Sequence, residues 1–548
     1  MVMPVLPITG LGATGLIKDV PETGVQLGGL TRAENIRFKG TSITRAGAWN
    51  NAPVDCGHND GIFGQKLLRH MIPGGSEELY VITNTRQIFI TDGATKSEVS
   101  VVGHSPISGE AAVTSTSLAL LPYFSAENYP LVGKEWGPAE VFQPAMAGSP
   151  HEDSTWRVVR AHKDRLFVFN ETTTGNEHRQ RAQWSGPVGD RQLATDWETG
   201  SLSSTAGWVD LVGFRGEILD AYPLGEFMYV YGAYGISRMW ESGDEFIFGN
   251  APVFSEDGLL ATHCIVPVSE YGHFVVGRNR IYIFDGQQAH PIAVNRVEDE
   301  FRRTLDTNKQ HLMFVYPDYQ NSEVWVCYPS NDTAESYFKP GTTSHCNRAL
   351  VWNYRHNAWS FRDIPNLVDM MSYAMPMGIL TWDDTTEQWT TFGGTWASTG
   401  GLTVTLPTAL TKKFTAPGGV CETSVLRFDP KAYPTTKWND PFSVIERRGI
   451  IGRELGFKAH TTKMLHRITL DISADVADGA NLGLGAFSRL HNQGAETFSG
   501  NVPYDPTAQS WVNFRLSGQQ LGYKVFAGYE ASMDLSQVDL EIEQIAER

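Results

Sequence analysis

The residues of this chain with the types needed for chemistry are its carboxylates, histidines, cysteines and glycine loops. Asp92-Gly93 and Asp285-Gly286 end two nearly repeated stretches, Ile88-Phe89-Ile90-Thr91 and Ile281-Tyr282-Ile283-Phe284. Glycoside cleavage needs two carboxylates facing each other across a sugar, and 61 acidic residues leave many pairs to consider. These repeated aspartates, however, sit where a hairpin turns, and turn chemistry accounts for them better than catalysis. Gly10-Leu11-Gly12-Ala13-Thr14-Gly15 matches G-x-G-x-x-G literally. A dinucleotide site needs a strand before that loop and a helix after it. Pro21 would end such a helix early, which leaves a flexible glycine-rich segment. Cys56-Gly57-His58 brings two metal-ligand types together, but a second pair at zinc-site spacing is missing. His162, His263, His273 and His311 lie in or beside strand-like runs, as ordinary hydrogen-bonding histidines do. No phosphate loop, G-x-S-x-G elbow or H-E-x-x-H pair occurs. The residues therefore assign no catalytic, cofactor-binding or metal site, and the expectation is a protein that is not an enzyme.

The bulk numbers agree with a mechanical or binding role. The 548 residues are 41% hydrophobic and 19% charged, with 54 Gly and 15 Trp, a turn-rich globular composition. A formal net charge of −17 argues against a protein that grips nucleic-acid phosphates. It fits a soluble protein, or a wall past which a polyanion slides. Five scattered cysteines, Cys56, Cys264, Cys327, Cys346 and Cys421, without a C-x-x-C pair favour reduced thiols in a protein made in a cytoplasm. No secretion signal and no run of ~18 apolar residues is visible, so no membrane insertion is expected. Ser255-Glu256-Asp257-Gly258 is similar to part of the aspartate box of sialidase propellers. Gly follows Asp directly and the later aromatic residue is missing, so it reads as a turn.

The elements that would hold these residues are β. Residues 1–60 are Gly- and Pro-punctuated and read as an extended N-terminal arm or docking segment, with one strand–turn–strand from Glu34 to Arg45. From 61 to 400, β-branched and aromatic runs broken by Gly, Asn and Asp form hairpins. They recur every ~45–60 residues, close to propeller repeats, which gives a mostly β protein with a β-propeller of about six blades. Tyr229, Tyr231, Trp240, Trp325, Trp352 and Trp359 lie in these runs and suit blade cores or interfaces better than ligand stacking. Val294, Val297, Phe301 and Leu305 have amphipathic helix spacing. Residues 401–440 read as an exposed insertion or loop. From 441 to 548 clean alternation, as in Met464–Ile472 and Val538–Ile542, predicts a β-sandwich-like C-terminal module. A jelly-roll or a continuation of the propeller would alternate in the same way.

Several of these stretches share an order with one family. Glu34–Gly47 resembles the N-terminal segment of tail nozzle (tail tubular) proteins of short-tailed bacteriophages. The hairpin Phe274–Gly286, the helix around Val294–Leu305, His311–Pro317, Glu323–Pro329, Ala349–Tyr354 and Asn357–Ser360 resemble the central block of the same group. Arg515–Gly518 and Val538–Ile542 resemble its closing strands. The resemblance implies a structural virion protein of the viral tail, made in the host cytoplasm. It implies a homohexamer forming a ring below the portal and adaptor. Such a ring continues the DNA channel without specific binding, gates genome release and anchors fibres or spikes. Arg32, Arg37 and Arg45 cluster in the N-terminal segment and could pair with acidic surfaces of a neighbour or the adaptor, or stand as ordinary solvated arginines. A propeller-type glycan-binding or glycan-degrading tail protein is the alternative.

Overall fold

The computed structural model describes the chain apart from residues 1–2, 56–63, 72–76, 84–87, 92–95, 99–111, 135–141, 200–202, 212–214, 244–246, 269–270, 332–344, 377–402, 412–413, 417–418, 422–423, 430–442, 459–460, 474–481, 492–493, 529–532 and 547–548. Cys56, His58 and Asp92 therefore lie outside the described residues.

The middle of the chain is a β-propeller. Five separate four-stranded antiparallel sheets follow one another, each built in simple up-and-down order. Blade I begins with the strand Gly64–Met71, blade II with Val113–Leu118, blade III with Thr155–His162, blade IV with Ile218–Leu224 and blade V with Ile265–Val268. Blade VI consists of Phe314–Asp318, Glu323–Tyr328, Cys346–Asn353 and the first half of the long strand Ala358–Pro376. The two near-repeats of the sequence, Ile88–Thr91 and Ile281–Phe284, are both third strands, of blades I and V.

A seventh blade closes the ring, one more than the sequence spacing predicts. The strand Ala358–Pro376 turns at Asn366, which adopts φ +52, and its second half pairs with Thr403–Thr411. That strand pairs with Ser424–Asp429, which pairs with Ala48–Asp55. Asparagine tolerates the left-handed region better than most residues. The ring is thus locked by a strand from the chain's start. Two expectations are corrected here. Residues 1–60 are not an extended arm, because their strands are integral to two sheets. The described residues of 401–440 are not an exposed loop, because Thr403–Thr411 and Ser424–Asp429 are strands whose Ala409, Leu410, Val425 and Leu426 are buried at blade faces.

Both faces of a blade are buried, so its strands read as unbroken apolar runs instead of alternating ones. In Leu166-Phe167-Val168-Phe169, Leu166 and Val168 face blade II beside Trp156 and Trp197. Phe167 and Phe169 face blade IV beside Trp184 and Phe248. Similar clusters join blades I and II through Tyr80 and Phe124, VI and VII through Trp49, Trp325 and Phe428, and VII and I through Tyr373, Leu410 and Leu79. Of the aromatic residues singled out in the sequence, Tyr231, Trp325 and Trp359 are fully buried and Tyr229 and Trp352 nearly so, whereas Trp240 is only half-buried.

The C-terminal module is a sandwich of two sheets. One holds Ile36–Lys39, Ser42–Arg45, Asp534–Ala546, Thr462–Ser473 and Trp511–Gly518, with Val5–Ile8 also on Asp534–Ala546. The other holds Arg32–Glu34, Ser443–Ile450, Gln520–Ala527 and Leu482–Arg489. Arg32–Glu34 also pairs in parallel with the blade VI strand at Phe361, so blade VI and the sandwich share one continuous sheet. The helix is shorter than its spacing predicts and spans Glu298–Thr304. Asn295 at φ +59 interrupts it, and Val294 points into solvent. Val297, Phe301 and Leu305 do pack inward, with the Phe301 and Tyr328 rings 5.0 Å apart.

Candidate functional site

The first place to look for function in a propeller is its axis, where the innermost strands converge. Here the axis carries charge and little open space. Lys66 Nζ of blade I lies 2.9 Å from Asp369 Oδ1 of blade VII, and the Leu67 N–H donates to Asp369 Oδ2. Arg160 of blade III meets Asp220 of blade IV at 2.6 Å and also donates to the Ala221 carbonyl. Its guanidinium lies 4.5 Å from the centre of the Tyr222 ring. Asp220 also accepts the His263 N–H, at 3.3 Å. His263 is in the left-handed region, at φ +66. Burial, and then the fields of Lys66 and Arg160, push its imidazole well below the ordinary range, so it is neutral. A cavity of about 50 Å³ remains, lined by Gln65, Lys66, His263, His311, His345 and Asp369 among others. That volume holds a few water molecules.

Asp369 is matched to Lys66 and the Leu67 N–H, and Asp220 to Arg160 and the Ala221 and His263 N–H groups. Burial, ahead of the opposing pull of Arg160, raises the Asp220 carboxyl. Among the described residues no group of three His, Cys, Asp or Glu side chains is arranged to hold a metal ion. Cys264, Cys327 and Cys346 are free and buried, and burial pushes their thiols up, away from the reactive thiolate.

The second charged site is the seam between blade VI and the sandwich, and it collects the arginines of the N-terminal segment. Arg37 Nε donates to Glu323 Oε1 at 3.1 Å. Glu323 also accepts from Arg362 Nη2 at 3.0 Å and from the Trp325 indole at 3.2 Å. Burial alone would raise the Glu323 carboxyl, but Arg362 and Arg37 outweigh it and hold it below the usual range. Arg45 is buried and donates to the Gly528 carbonyl. Arg32 pairs with Glu34 at 2.7 Å and Glu446 at 3.5 Å. Burial pushes Glu34 up to about 7, against the pull of Arg32. The expectation that Arg32, Arg37 and Arg45 face a partner as a cluster is therefore replaced: these side chains fasten the sandwich within one chain.

The turn motifs resolve as turn chemistry. Asp257 is buried and accepts from the N–H groups of Gly258, Arg278, Asn279 and Arg280, so it holds the next blade's hairpin. Asp285 accepts from the Gln287 and Gln288 N–H groups; the Gln288 N–H, then His290 and the Gln287 N–H, bring its carboxyl down to about 2. The glycine motif at 10–15 forms one helical turn, Leu11–Thr14, wedged against blade VI. A Cβ at Gly15 would stand 2.8 Å from the Trp359 nitrogen, so only glycine fits. His162 Nε2 donates to the Glu226 carbonyl, and His273 bridges Tyr231 and the Pro223 carbonyl.

The axial and seam ion pairs escape motif reading because their partners lie far apart in sequence, 303 residues for Lys66 and Asp369 and 60 for Arg160 and Asp220. One signal was present. A charge inside a core-type run, such as Arg160 after Val158-Val159, is rarely buried without a partner.

No family model and no curated protein matches the chain. Among solved structures, YCF48 from Cyanidioschyzon merolae is similar at 9% identity over 70% of this chain and 99% of its own, with a TM-score of 0.35. YCF48 bound to D1 peptide is similar at 9% identity over 70% and 100%, TM-score 0.36. A glycoside hydrolase is similar at 10% identity over 87% and 100%, TM-score 0.24. The propeller assignment rests on the sheets themselves.

Proposed function

We propose that this protein is a structural component of a virion tail, a nozzle subunit that acts by assembly and carries out no catalysis. One observation carries the reading. The stretches that resemble nozzle proteins are scattered from residue 34 to 542, yet they pack around one hydrophobic core of blades IV–VI and the sandwich. Ile36, Phe274, Phe301, Val326, Trp352, Trp359, Val538 and Ile542 all belong to it.

In this reading the DNA channel of the assembly runs between subunits of the homohexamer. The strand Asp534–Ala546 buries Val538, Leu540 and Ile542 and turns Asp539, Glu541 and Glu543 to the other face, where Glu541 pairs with Arg467 and Glu543 contacts His466. Such a face toward a lumen repels phosphates and lets DNA pass without specific binding. The same ring abuts the adaptor on one side and holds fibres or spikes outside. The test is native mass spectrometry of the purified chain, then electron microscopy of it mixed with its portal–adaptor complex. A six-copy ring seated on the adaptor is the expected result. A monomer or trimer that stays off the complex overturns the proposal.

A further inference from the structure

One strand of the sandwich is held to blade VI by side chains in place of a ladder of backbone bonds. The strand Ile36–Lys39 pairs with Ser42–Arg45 on one side and ends its sheet on the other. On that free side every second residue meets blade VI. Ser360 Oγ and Arg362 Nη2 donate to the Ile36 carbonyl, each at 3.4 Å. Asn353 Nδ2 donates to the Phe38 carbonyl at 3.2 Å. At the hairpin tip, the Gly40 N–H donates to His356 Nε2 at 3.1 Å. The turn that carries His356 is itself pinned. The His356 N–H donates to Asn353 Oδ1, the Trp352 indole donates to Asn357 Oδ1, and Arg296 donates to the Asn357 carbonyl. His356 is half-buried, so protons from solvent reach it.

We infer that His356 is a proton-operated latch that releases the tip of the Ile36–Arg45 hairpin from blade VI in acid, while Asn353, Ser360 and Arg362 keep the rest of the strand in place. A backbone N–H only donates, so Nε2 must be bare for this bond to form. Once the imidazole takes a second proton, both ring nitrogens are donors. Neither the other tautomer nor a ring flip then restores an acceptor. The other three side chains of the clamp keep one protonation state over the range, about pH 5 to 8, in which histidine changes charge. The charged groups on the elements around the latch give the imidazolium no new anchor. Lys39 precedes Gly40 on the hairpin, Arg355 precedes His356 in its own turn, and Arg296 reaches Asn357 from the segment before the helix. The first hairpin of blade VI lies alongside, through the pair Glu323 and Asn353. Its carboxylates are engaged elsewhere, Asp318 with Asn321, and Glu323 with Arg37 and Arg362. The latch is therefore closed when His356 is neutral and open when it is charged. This device is independent of ring assembly.

The test is hydrogen exchange of the full chain, read by mass spectrometry with single-residue fragmentation at about pH 7.5 and about pH 5. Rates are corrected for the intrinsic pH dependence of amide exchange. In wild type the Gly40 amide is expected to lose about tenfold of its protection on acidification, the scale of one hydrogen bond. The blade V hairpin Gly277–Arg280, whose N–H groups bond to Asp257, is the internal control and keeps its protection. His356→Gln still offers an amide oxygen as acceptor and does not titrate, so it is expected to protect Gly40 at both pH values. His356→Lys is a donor throughout and is expected to show the open tip at both. Thermal melts establish that each variant is folded; where one is not, wild type and the other variant decide the matter. The inference is overturned if Gly40 protection in wild type is unchanged by acid, if His356→Gln loses it as wild type does, if folded His356→Lys keeps the tip closed, or if Gly277–Arg280 loosens as much as Gly40.

Discussion

Blades V and VII contain the same four antiparallel strands in the same order, yet the chain builds them in opposite ways. Blade V is local: its strands fall between Ile265 and Pro291, and each turn is a few residues long. Blade VII draws on three distant pieces, the second half of Ala358–Pro376, the pair Thr403–Thr411 and Ser424–Asp429, and the early strand Ala48–Asp55. A local blade can form before the ring exists, because short loops cost little closure entropy. A composite blade can form only when the ring closes. The two therefore divide the labour, one as a repeat unit and the other as the lock.

The sharpest way to break the comparison is to remove residues 1–55. This takes the outer strand from blade VII and three strands from one sandwich sheet. We expect loss of a cooperative thermal transition and of near-ultraviolet circular dichroism. A truncated chain that melts as the intact one does would restore the reading of this segment as a dispensable arm. A smaller blow to the same lock is Asp369→Ala, which leaves Lys66 without its carboxylate and the Leu67 N–H without its acceptor across the VII–I seam. Removing one member of a mostly buried pair costs about 3 kcal/mol. Urea unfolding measures that loss, and hydrogen exchange should show it first in the strands Gly64–Met71 and Thr403–Thr411. Equal loosening of blade V would argue against a lock at that seam.

Blade V offers the matching test at a local turn. Asp257→Ala removes the acceptor for four backbone N–H groups, of which Gly258 belongs to its own turn and Arg278, Asn279 and Arg280 to the hairpin of blade V. The expected loss is about 2 kcal/mol in urea unfolding, with exchange confined to that hairpin. Asp257→Asn should recover part of it, because an amide oxygen still accepts.

The same contrast explains what the sequence made legible. Phe274-Val275-Val276, Gly277–Arg280 and Ile281–Phe284 spell a hairpin in one window, since strand, turn and return strand are contiguous. Blade VII has no such window. Thr403–Thr411 contains Pro407 and several threonines, and Ala48–Asp55 is interrupted by polar Asn50-Asn51 and by Pro53. Neither spells a core strand until its partners arrive from elsewhere. The sandwich was legible in Met464–Ile472 because one face of each sheet is wet, which restores alternation. Its N-terminal strands were hidden by the glycines at 10, 12, 15, 28 and 29, which mark close approaches and turns as well as flexibility. Arg32, Arg37 and Arg45 showed that charge was concentrated near one place. Only the register of Glu34 on Phe361 revealed that the place is an internal seam.

The smallest effect expected is electrostatic and belongs to blade V. His273 is fully buried between blades IV and V, with Nδ1 2.6 Å from the Tyr231 hydroxyl and Nε2 3.2 Å from the Pro223 carbonyl. The tyrosine donates to Nδ1 and the imidazole donates from Nε2, so the neutral ring satisfies both bonds. Burial lowers the imidazole from 6.5 to about 4. A depressed base is favoured neutral in the fold, so its contribution is complete above 6.5 and declines as pH falls toward about 4. Going from pH 6.5 to about 5.5 should cost about 1 kcal/mol. His273→Gln should flatten that part of the stability–pH curve while lowering the neutral-pH plateau. A variant whose acid limb is unchanged would assign the pH response to other groups, such as Glu34 at the sandwich seam, where protonation tracks a different interface. Unfolding curves collected across this window in both proteins therefore locate the acid-sensitive joint as well as measuring it.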